Sequence, residues 1–441
     1  MLIHSSAQRR ATTRVWLANL LPSMMTPRPF SLHATAALAC LALQPSAALA
    51  TGLDWPQWRG PDRTDVSKET GLLKSWPAEG PKRLWLFENA GQGYSTPAIA
   101  GGKYFVLGTR DGSEILLVLD AATGKELLAA KLGSILDNDW GDGPRGSPTI
   151  DGDRAYALTG PGVLACIGIA DGKVRWSVAM SALGGGKPKW GYCESPLIDG
   201  ANVLCTPGGS RGTVAALDKL TGKLVWQSKD IAEPAHYSSI VPATINGQAQ
   251  YVQRNEKSIF GLAPADGKLL WQTDFPGATA VIPTPIVRGN EVYVTAGYGA
   301  GSKLVRIEPG NKVTAIYQNK VMKNHHGGVV LVGDHLYGHA DPGWVCQDWK
   351  TGEATWNVRL FNKGAVSAAD GMLYCLEEKT GAVVLVEASP KGWNEKSRFT
   401  LSPQTKIRSA RGAVWSHPVI SHGRLYLRDQ DLIYCYDVKA P

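Results

Sequence analysis

Residues 194–226 read ESPLIDGANVLCTPGGSRGTVAALDKLTGKLVW and contain four short apolar segments separated by turn signals. An Asp-Gly pair at 199–200 joins the first two segments, and such pairs are typical of tight β-hairpin turns. A T-G-K sequence at 221–223 joins the last two, and the final segment ends on Trp226. Short apolar segments bounded by glycine are typical of β-strands. The stretch therefore predicts one four-stranded antiparallel sheet.

The same pattern recurs through the chain at intervals of roughly 40–50 residues, the repeat length of propeller blades. Four copies are clear and four are weaker; they begin at Ser95, Gly146, Glu194, Ser238, Pro283, His326, Gly364 and Ser416. Four strands in each of eight repeats predict an all-β, eight-bladed β-propeller over residues 82–441.

The eighth copy ends at Val438 without a fourth strand. A matching segment, KRLWLFE at 82–88, precedes the first full copy. We therefore expect this N-terminal strand to complete the last blade and close the ring, which would also remove open sheet edges.

Two sets of residues recur at fixed positions of the repeat. A tryptophan in the fourth strand is expected to pack against the neighbouring blade; these are Trp85, Trp176, Trp226, Trp271 and Trp356. Five of the six cysteines after residue 50 also share repeat positions; the six are Cys166, Cys193, Cys205, Cys346, Cys375 and Cys435. Cross-blade disulfides are an alternative, but the spacing of facing sheets favours buried thiols.

Residues 1–50 have the features of a signal peptide. Four arginines and no acidic residue precede an apolar run that ends in Ala-Leu-Ala at 48–50, a typical cleavage site. Met25 gives a leader of ordinary length if it is the true start. The interrupted apolar run argues against a membrane anchor, and the context of Cys40 against a lipoprotein. We expect a periplasmic or secreted protein with no transmembrane segment after cleavage, and a monomer.

The charge of the mature chain is modest. Without the leader, 42 basic residues face 38 acidic residues, a net charge of +4 rather than +8. No basic stripe accompanies it, so nucleic acid is not an expected partner. No C-x-x-C pair is present, which removes zinc-ribbon sites and c-type haem attachment.

The repeat resembles the pyrroloquinoline quinone (PQQ) enzyme repeat from about residue 55 to the end. Four shorter stretches are similar to PQQ-binding-like secreted bacterial propellers, which include quinoprotein-dehydrogenase-like and polyvinyl-alcohol-dehydrogenase-like proteins. These stretches are WPQWRGPDR (55–63), KWGYCESPLIDG (189–200), NKVMKNHHGGVVLVGD (319–334) and RLYLRDQDLIYCYDV (424–438). The resemblance implies PQQ as a cofactor, with calcium if PQQ is bound. It also extends to a non-enzymatic scaffold of outer-membrane protein assembly, so function must be argued from a site. The adjacent cysteine pair of such dehydrogenases and a C-x-x-C-H motif are both missing.

The alignment of the copies brings polar and aromatic residues to one face of the ring. We predict that ligand-binding groups come from the loops of that face; they are Tyr94, Arg145, Glu194, Tyr237, His325, His326, His339, Asp341, Trp415, His417, Arg428 and Asp429. We expect Arg145 and Glu194 to form an ion pair at the entrance. The catalytic candidates are Glu194, Asp429 and His326.

The segment at 321–349 holds four of the nine histidines. His335 lies in a hairpin turn on the opposite face and is excluded from the cluster. His326, His339 and Asp341 are candidate metal ligands, although adjacent histidines in an extended segment point to opposite faces. The alternatives to a metal site are hydrogen bonding or acid–base chemistry on a bound ligand, and a purely structural role.

Three functions follow. The first is a non-catalytic propeller that binds a small molecule, glycan or protein segment in its axial funnel. The second is a PQQ-dependent quinoprotein alcohol dehydrogenase-like oxidoreductase. The third is a scaffold for outer-membrane protein assembly.

Overall fold

The computed structural model describes residues 52–441, which form 33 β-strands and two short 3-10 helices. The predicted signal peptide (1–50) lies outside the described residues. The strands form eight sheets, seven of four strands and one of five, so the predicted all-β, eight-bladed propeller is confirmed. None of the helices in this part of the chain is long and apolar enough to cross a membrane.

The strands follow the predicted repeat in chain order. Before the first blade lie β1 (Val66–Ser67) and β2 (Arg83–Phe87). Blade 1 contains β3 (Ala98–Ala100), β4 (Lys103–Arg110), β5 (Ser113–Asp120) and β6 (Glu126–Ser134), and blade 2 contains β7 (Thr149–Asp151), β8 (Arg154–Leu158), β9 (Val163–Gly168) and β10 (Val174–Ala179). Blade 3 contains β11 (Leu197–Asp199), β12 (Asn202–Cys205), β13 (Ala215–Asp218) and β14 (Leu224–Gln227), and blade 4 contains β15 (Val241–Ile245), β16 (Gln248–Arg254), β17 (Ser258–Leu262) and β18 (Leu269–Asp274).

Blade 5 contains β19 (Ile286–Arg288), β20 (Glu291–Ala296), β21 (Gly301–Ile307) and β22 (Val313–Asn319), and blade 6 contains β23 (Val329–Val332), β24 (His335–His339), β25 (Trp344–Asp348) and β26 (Ala354–Val358). Blade 7 contains β27 (Gly364–Ala369), β28 (Met372–Glu377), β29 (Ala382–Glu387) and β30 (Asn394–Thr400), and blade 8 contains β31 (Val419–Ser421), β32 (Arg424–Asp429) and β33 (Leu432–Asp437). The 3-10 helices are η1 (Met180–Leu183) and η2 (Pro309–Asn311).

The ring closes as predicted. Strand β2 pairs antiparallel with β33, with Trp85 opposite Cys435, and supplies the fourth strand of blade 8. The last blade therefore contains both early and late segments of the chain, which leaves β33 without a free edge.

The recurring tryptophans join adjacent blades, as predicted from their repeat position. The indole N–H of Trp176 donates to the carbonyl oxygen of Lys219 in blade 3, and Trp85, Trp226 and Trp356 make the equivalent bond to the next blade. The glycine of the T-G-K turn provides the space: Gly222 has φ +71°, and a Cβ there would lie 2.6 Å from the Trp176 ring. Trp271 differs because it bonds to Gln250 of its own blade.

All six cysteines in the described range are free thiols, and five of them are buried. This agrees with the expectation of buried thiols rather than cross-blade disulfides.

Residues 53–72, here called the axial segment, occupy the centre of the ring. Trp55 and Ile99 of blade 1 exchange backbone hydrogen bonds of 2.8 Å, and β1 pairs parallel with β27 of blade 7. The buried Arg63 donates to the carbonyl oxygen of Ile240, at the start of blade 4. Further bonds reach the other blades through Ile150, Pro196, Thr284, Val329 and Ser421. The repeat begins only at residue 82, which predicts that residues 51–81 are an N-terminal extension; part of this extension instead forms a hub that contacts all eight blades.

Candidate functional site

An axial cavity of about 560 Å³ opens where the inter-blade connections converge. Its volume lies within the range of small-molecule sites. It is lined by Trp58, Tyr94, Thr96, Trp140, Arg145, Trp190, Cys193, Ser195, Tyr237, Ser239, Ala280, Ile282, Tyr298, His325, His326, Lys363, Glu378, Lys379, Arg408, Ala410, Arg411, Gly412, Ala413, Trp415 and His417.

Trp58 of the axial segment contributes to this lining. Its indole N–H donates to Thr284 Oγ1 at 3.1 Å, and its ring contacts the His417 imidazole edge-on, with centroids 4.6 Å apart. His417 is held in turn by Asp65, whose Oδ2 lies 3.0 Å from His417 Nδ1. The axial segment therefore both fills the ring and supplies part of the cavity surface.

Three buried hydroxyl groups, those of Thr96, Ser195 and Ser239, lie around the cavity just before inner strands begin. Ser147 N–H donates to Ser195 Oγ, Ser195 N–H to Ser239 Oγ, and His417 N–H to Thr96 Oγ1. These bonds join blade 2 to blade 3, blade 3 to blade 4, and blade 8 to blade 1. Each of these hydroxyl oxygens accepts a backbone hydrogen bond, so its own O–H remains able to donate.

One wall of the cavity is aromatic. Tyr94 packs against Trp415 with ring centroids 4.8 Å apart, and Trp140 lies 6.3 Å from Trp415. Tyr94 Oη also donates to the backbone carbonyl of Trp140 at 2.7 Å. On another side Trp190 packs against Tyr237 at 5.8 Å. Such rings offer a large apolar surface at an otherwise polar site.

The two adjacent histidines form one hydrogen-bonded cluster. His325 Nδ1 lies 2.8 Å from both His326 Nδ1 and Lys363 Nζ, and His325 Nε2 lies 2.9 Å from Tyr298 Oη. His326 Nε2 lies 2.8 Å from Glu378 Oε2. Both rings line the cavity, contrary to the expectation that only one would face it. The reason is that residues 320–328 are not in a strand, since β23 begins at Val329, so strand alternation does not apply.

Burial controls protonation in this cluster. Desolvation, together with the nearby His326 and Lys363, lowers the pKa of His325 to about 2. Desolvation also lowers the pKa of His326. Burial alone would raise the pKa of Glu378, but its contacts with His326 and Lys363 hold that pKa at about 2. At neutral pH the two imidazoles are therefore uncharged and Glu378 is an anion.

Five cationic side chains line the cavity against the single carboxylate of Glu378. Lys363 faces Glu378 at 3.8 Å, Arg408 pairs with Asp429 at 2.7 Å, and the exposed Arg411 lies 3.6 Å from Asp139. Within residues 52–441, no carboxylate forms an ion pair with Arg145 or Lys379. The cavity therefore carries a positive excess that suits an anionic group.

The predicted Arg145–Glu194 ion pair is wrong. Arg145 Nη1 and Nη2 donate to the carbonyl oxygens of Gly143 and Gly141, each at 2.8 Å. Glu194 is buried outside the cavity lining and accepts from the backbone and hydroxyl of Thr206. Arg145 and Glu194 lie at the starts of adjacent blades, but each side chain makes its hydrogen bonds with groups close to it instead of with the other.

Four other residues predicted to bind ligand do not line the cavity. Asp429 is buried and accepts from Arg408 and from the backbone of Thr405. Arg428 is buried and donates to the Ser95 and Leu107 carbonyl oxygens, which joins blade 8 to blade 1. The remaining two, His339 and Asp341, belong to one loop, in which the backbone N–H of Asp341 donates to His339 Nδ1.

The proposed metal ligands do not converge. Burial, with the charge of Lys363 as the next cause, lowers the pKa of His339 to about 4. Among residues 52–441 there is no group of three or more His, Cys, Asp or Glu arranged to hold a metal ion. His335 pairs with Asp348 at 3.9 Å and does not line the cavity, as expected from its hairpin turn.

Tyr94, Arg145, Tyr237, His325, His326, Trp415 and His417 were predicted at the site and do line the cavity. Trp58, Trp140, Glu378 and Arg408 also line the cavity but were not predicted from the sequence. Glu378 follows β28 at the position that Asp341 occupies after β24, so the alignment that selected Asp341 in blade 6 would have found Glu378 in blade 7. Trp58 has no counterpart in the repeat, and no sequence signal predicts its position.

Calcium does not fit this cavity. Calcium takes six to eight oxygen ligands, whereas the single lining carboxylate, Glu378, already contacts His326 and the indole N–H of Trp415. The rings and cations suit a flat polyanion such as PQQ by charge and surface, but the adjacent cysteine pair implied by the resemblance is missing. The residues therefore do not match the PQQ and calcium set of the dehydrogenases.

Comparison with known proteins gives two kinds of similarity. A family model described as outer membrane protein assembly factor BamB matches residues 112–358. The chain is 22% identical over 290 residues to outer membrane protein assembly factor BamB of Moranella endobia (strain PCIT), covering 62% of this chain and 69% of that protein.

Solved structures give the second kind of similarity. Quinohemoprotein alcohol dehydrogenase from Comamonas testosteroni superposes with a TM-score of 0.59 at 11% identity, covering 88% of this chain and 81% of that one. A europium-containing methanol dehydrogenase gives 0.57 at 11% identity, covering 86% and 88%. At this identity the similarity shows the propeller fold and no shared activity.

Proposed function

Because the chain belongs to the family described as outer membrane protein assembly factor BamB, we propose that it is a non-catalytic propeller whose axial cavity binds a ligand. The observation that carries this proposal is the cavity itself, which combines aromatic rings, hydroxyl donors and an excess of cations over carboxylates. A few convergent polar groups in a largely apolar pocket are typical of ligand sites. The ligand classes considered are small molecules, glycans and protein segments.

The arrangement of the acidic groups favours binding over catalysis. Glu194 and Asp429, the two carboxylates that were candidate bases, are buried outside the cavity and hydrogen-bonded. Glu378 does line the cavity, but His326 and Trp415 hold it as an anion of low pKa. A general base works best with a pKa near the operating pH, so Glu378 is poorly suited to that role.

The test is a ligand screen with residues 51–441. Thermal-shift measurements over panels of glycans, peptides and small molecules, including PQQ with calcium, are followed by calorimetry on each compound that stabilises the protein. Trp140→Ala removes a ring of the cavity wall and should weaken genuine cavity binding about tenfold or more. Leu220→Ala, which changes an exposed apolar side chain at a T-G-K turn on the opposite face, is the control.

The proposal fails if no compound binds in a Trp140-dependent manner. It also fails if PQQ binds stoichiometrically and the protein then reduces a dye with an alcohol substrate, since that result supports the oxidoreductase.

We place this function in the periplasm or outside the cell. The predicted signal peptide supports this location, as does the membership of an outer-membrane assembly family. N-terminal sequencing of the exported protein should find Thr51 as the first residue. A cytoplasmic protein that retains its leader would contradict the proposal.

A scaffold in outer-membrane protein assembly is the second candidate function. Outer strands of blades 8, 1, 2 and 3 expose apolar side chains: Leu84, Leu127, Val174, Leu224 and Val225. Outer strands also present unpaired backbone groups to which a partner strand can add. Val225→Arg should then lower outer-membrane protein levels in a complemented deletion strain, whereas Ala315→Arg on the outer strand of blade 5 should not. Equal levels in both strains would remove this candidate.

A further inference from the structure

We infer that the ligand of the axial cavity is an acidic saccharide, held by its carboxylate on Arg145 and by its sugar rings on the aromatic wall. The inference rests on the proposed binding function and adds the chemical class of the ligand. It depends on three features of the cavity lining.

The first feature is the fixed position of Arg145. Two of its five N–H groups donate to the carbonyl oxygens of Gly141 and Gly143, and the guanidinium lies over the Tyr94 ring, 5.2 Å from its centroid. Three N–H groups remain for a ligand. A guanidinium held in this way is prepared to bind a carboxylate through two parallel hydrogen bonds, at little cost in side-chain ordering.

The second feature is the unbalanced charge. Lys363, Arg408 and Arg411 each lie near a carboxylate of the protein. Arg145 and Lys379 both line the cavity, and neither forms an ion pair with a carboxylate of the described residues, although Arg145 attracts the buried Glu114 at longer range. A neutral ligand would leave these two cations without an ion-pair partner, whereas an acidic ligand supplies one.

The third feature combines rings with hydroxyl donors. Trp140 is 41% exposed and lies 6.3 Å from Trp415, and both rings line the cavity. The exposed Trp140 ring can pack against the apolar C–H surface of a sugar. The hydroxyls of Ser195 and Ser239 accept backbone hydrogen bonds and can still donate to a ligand oxygen. A polyhydroxylated carboxylate uses the cations, the rings and the hydroxyls together, whereas a simple aromatic monocarboxylate has no oxygen beyond its carboxylate for the hydroxyl donors.

The experiment compares an α-1,4-linked trimer of galacturonic acid with the matching neutral trimer of galactose, by calorimetry on residues 51–441. We expect the acidic trimer to bind at least about tenfold more tightly than the neutral one, because a charge-assisted hydrogen bond is stronger than a neutral one. Arg145→Gln and Trp140→Ala should each weaken binding about tenfold or more. Lys379→Gln, a change at an exposed side chain, should weaken it less and reduce its salt dependence.

Arg175→Gln is the control, since Arg175 lies on the outer strand β10 and pairs there with Asp171. This variant should bind the acidic trimer as the wild type does.

Several outcomes would overturn the inference. Equal binding of the two trimers, binding of neither, or binding of the acidic trimer that does not depend on Arg145 would each do so. Binding of PQQ that excludes the acidic trimer would also overturn it. A neutral glycan, peptide or other small molecule that binds in a Trp140-dependent manner contradicts only the acidic saccharide and leaves the proposed binding function intact.

Discussion

His417 Nδ1 lies 3.0 Å from Asp65 Oδ2, and both side chains are buried, so the last blade is tied to the axial segment by this pair. Asp65 Oδ2 also lies 3.4 Å from Arg59 Nε, and His417 Nε2 contacts the backbone carbonyl of His326 at 2.9 Å. A buried ionic group thus connects the hub of the ring to the histidine cluster of the cavity.

Asp65→Ala should strongly destabilise the protein. It leaves the buried Arg59 guanidinium without its counter-charge, and breaking a buried pair from one side costs about 3–5 kcal/mol. Asp62→Ala is the control, because Asp62 pairs with Lys68 on the surface and such pairs contribute about 0–1 kcal/mol. Urea unfolding measures both variants. A loss below about 1 kcal/mol in Asp65→Ala would show that the hub does not depend on this carboxylate.

Gly222→Ala should cost more stability than Gly200→Ala. Both glycines have positive φ, +71° and +55°, so both substitutions strain the backbone. A Cβ at Gly222 would lie 2.6 Å from the Trp176 ring, whereas at Gly200 nothing lies within 4 Å. The difference in free energy of unfolding isolates the inter-blade clash, for which we expect about 1–3 kcal/mol. Equal losses would mean that the Trp176 ring moves to accommodate the added Cβ with no loss in the free energy of unfolding.

Glu194→Gln should gain stability relative to the wild type as the pH rises. Burial raises the pKa of Glu194 to about 7 from an ordinary value of 4.5. The folded protein therefore binds a proton that the unfolded chain has released, and the wild type loses stability between about pH 4.5 and 7. The glutamine has no proton to lose, so the relative gain should reach the order of 3 kcal/mol by pH 8.

Unfolding curves at pH 4 and pH 8 measure this change, with Glu353→Gln as an exposed control. A difference between Glu194→Gln and wild type that stays constant with pH would contradict the prediction. Ligand binding should be retained in this variant, since Glu194 does not line the cavity.

His325→Asn should make the protein less sensitive to acid. The pKa of His325 is lowered to about 2 in the folded protein. Below pH 6.5 the unfolded chain therefore binds a proton at this residue that the folded protein does not bind. The wild type therefore loses stability as the pH falls, at about 1.4 kcal/mol per pH unit for this one group. The variant should lack that contribution between pH 6.5 and 4.5, and its difference from the wild type should be constant between pH 7 and 8. Parallel stability curves below pH 6.5 would contradict the assignment.

The repeat made most of the architecture predictable. Each blade contacts mainly its neighbours, so the signals for strands, turns and inter-blade tryptophans recur at fixed spacing. The match of residues 82–88 to the fourth strand predicted closure because β2 replaces the one strand that the eighth repeat lacks. Seven of the predicted site residues line the cavity for the same reason, since they occupy equivalent loops.

The sequence by itself determined the blade number, the strand order and the face on which the polar loops converge, because these follow from local turns and from the repeat. Only the tertiary structure decided what fills the centre. Arg63 bonds to the backbone carbonyl of Pro196, 133 positions away, and every residue carries such a carbonyl, so no pattern in the sequence marks the partner. Tertiary packing also decided that Glu194 is structural while Glu378 faces the cavity. Glu194 is buried against the hydroxyl of Thr206, whereas Glu378 contacts His326, and the local sequence does not show which partners will surround each carboxylate.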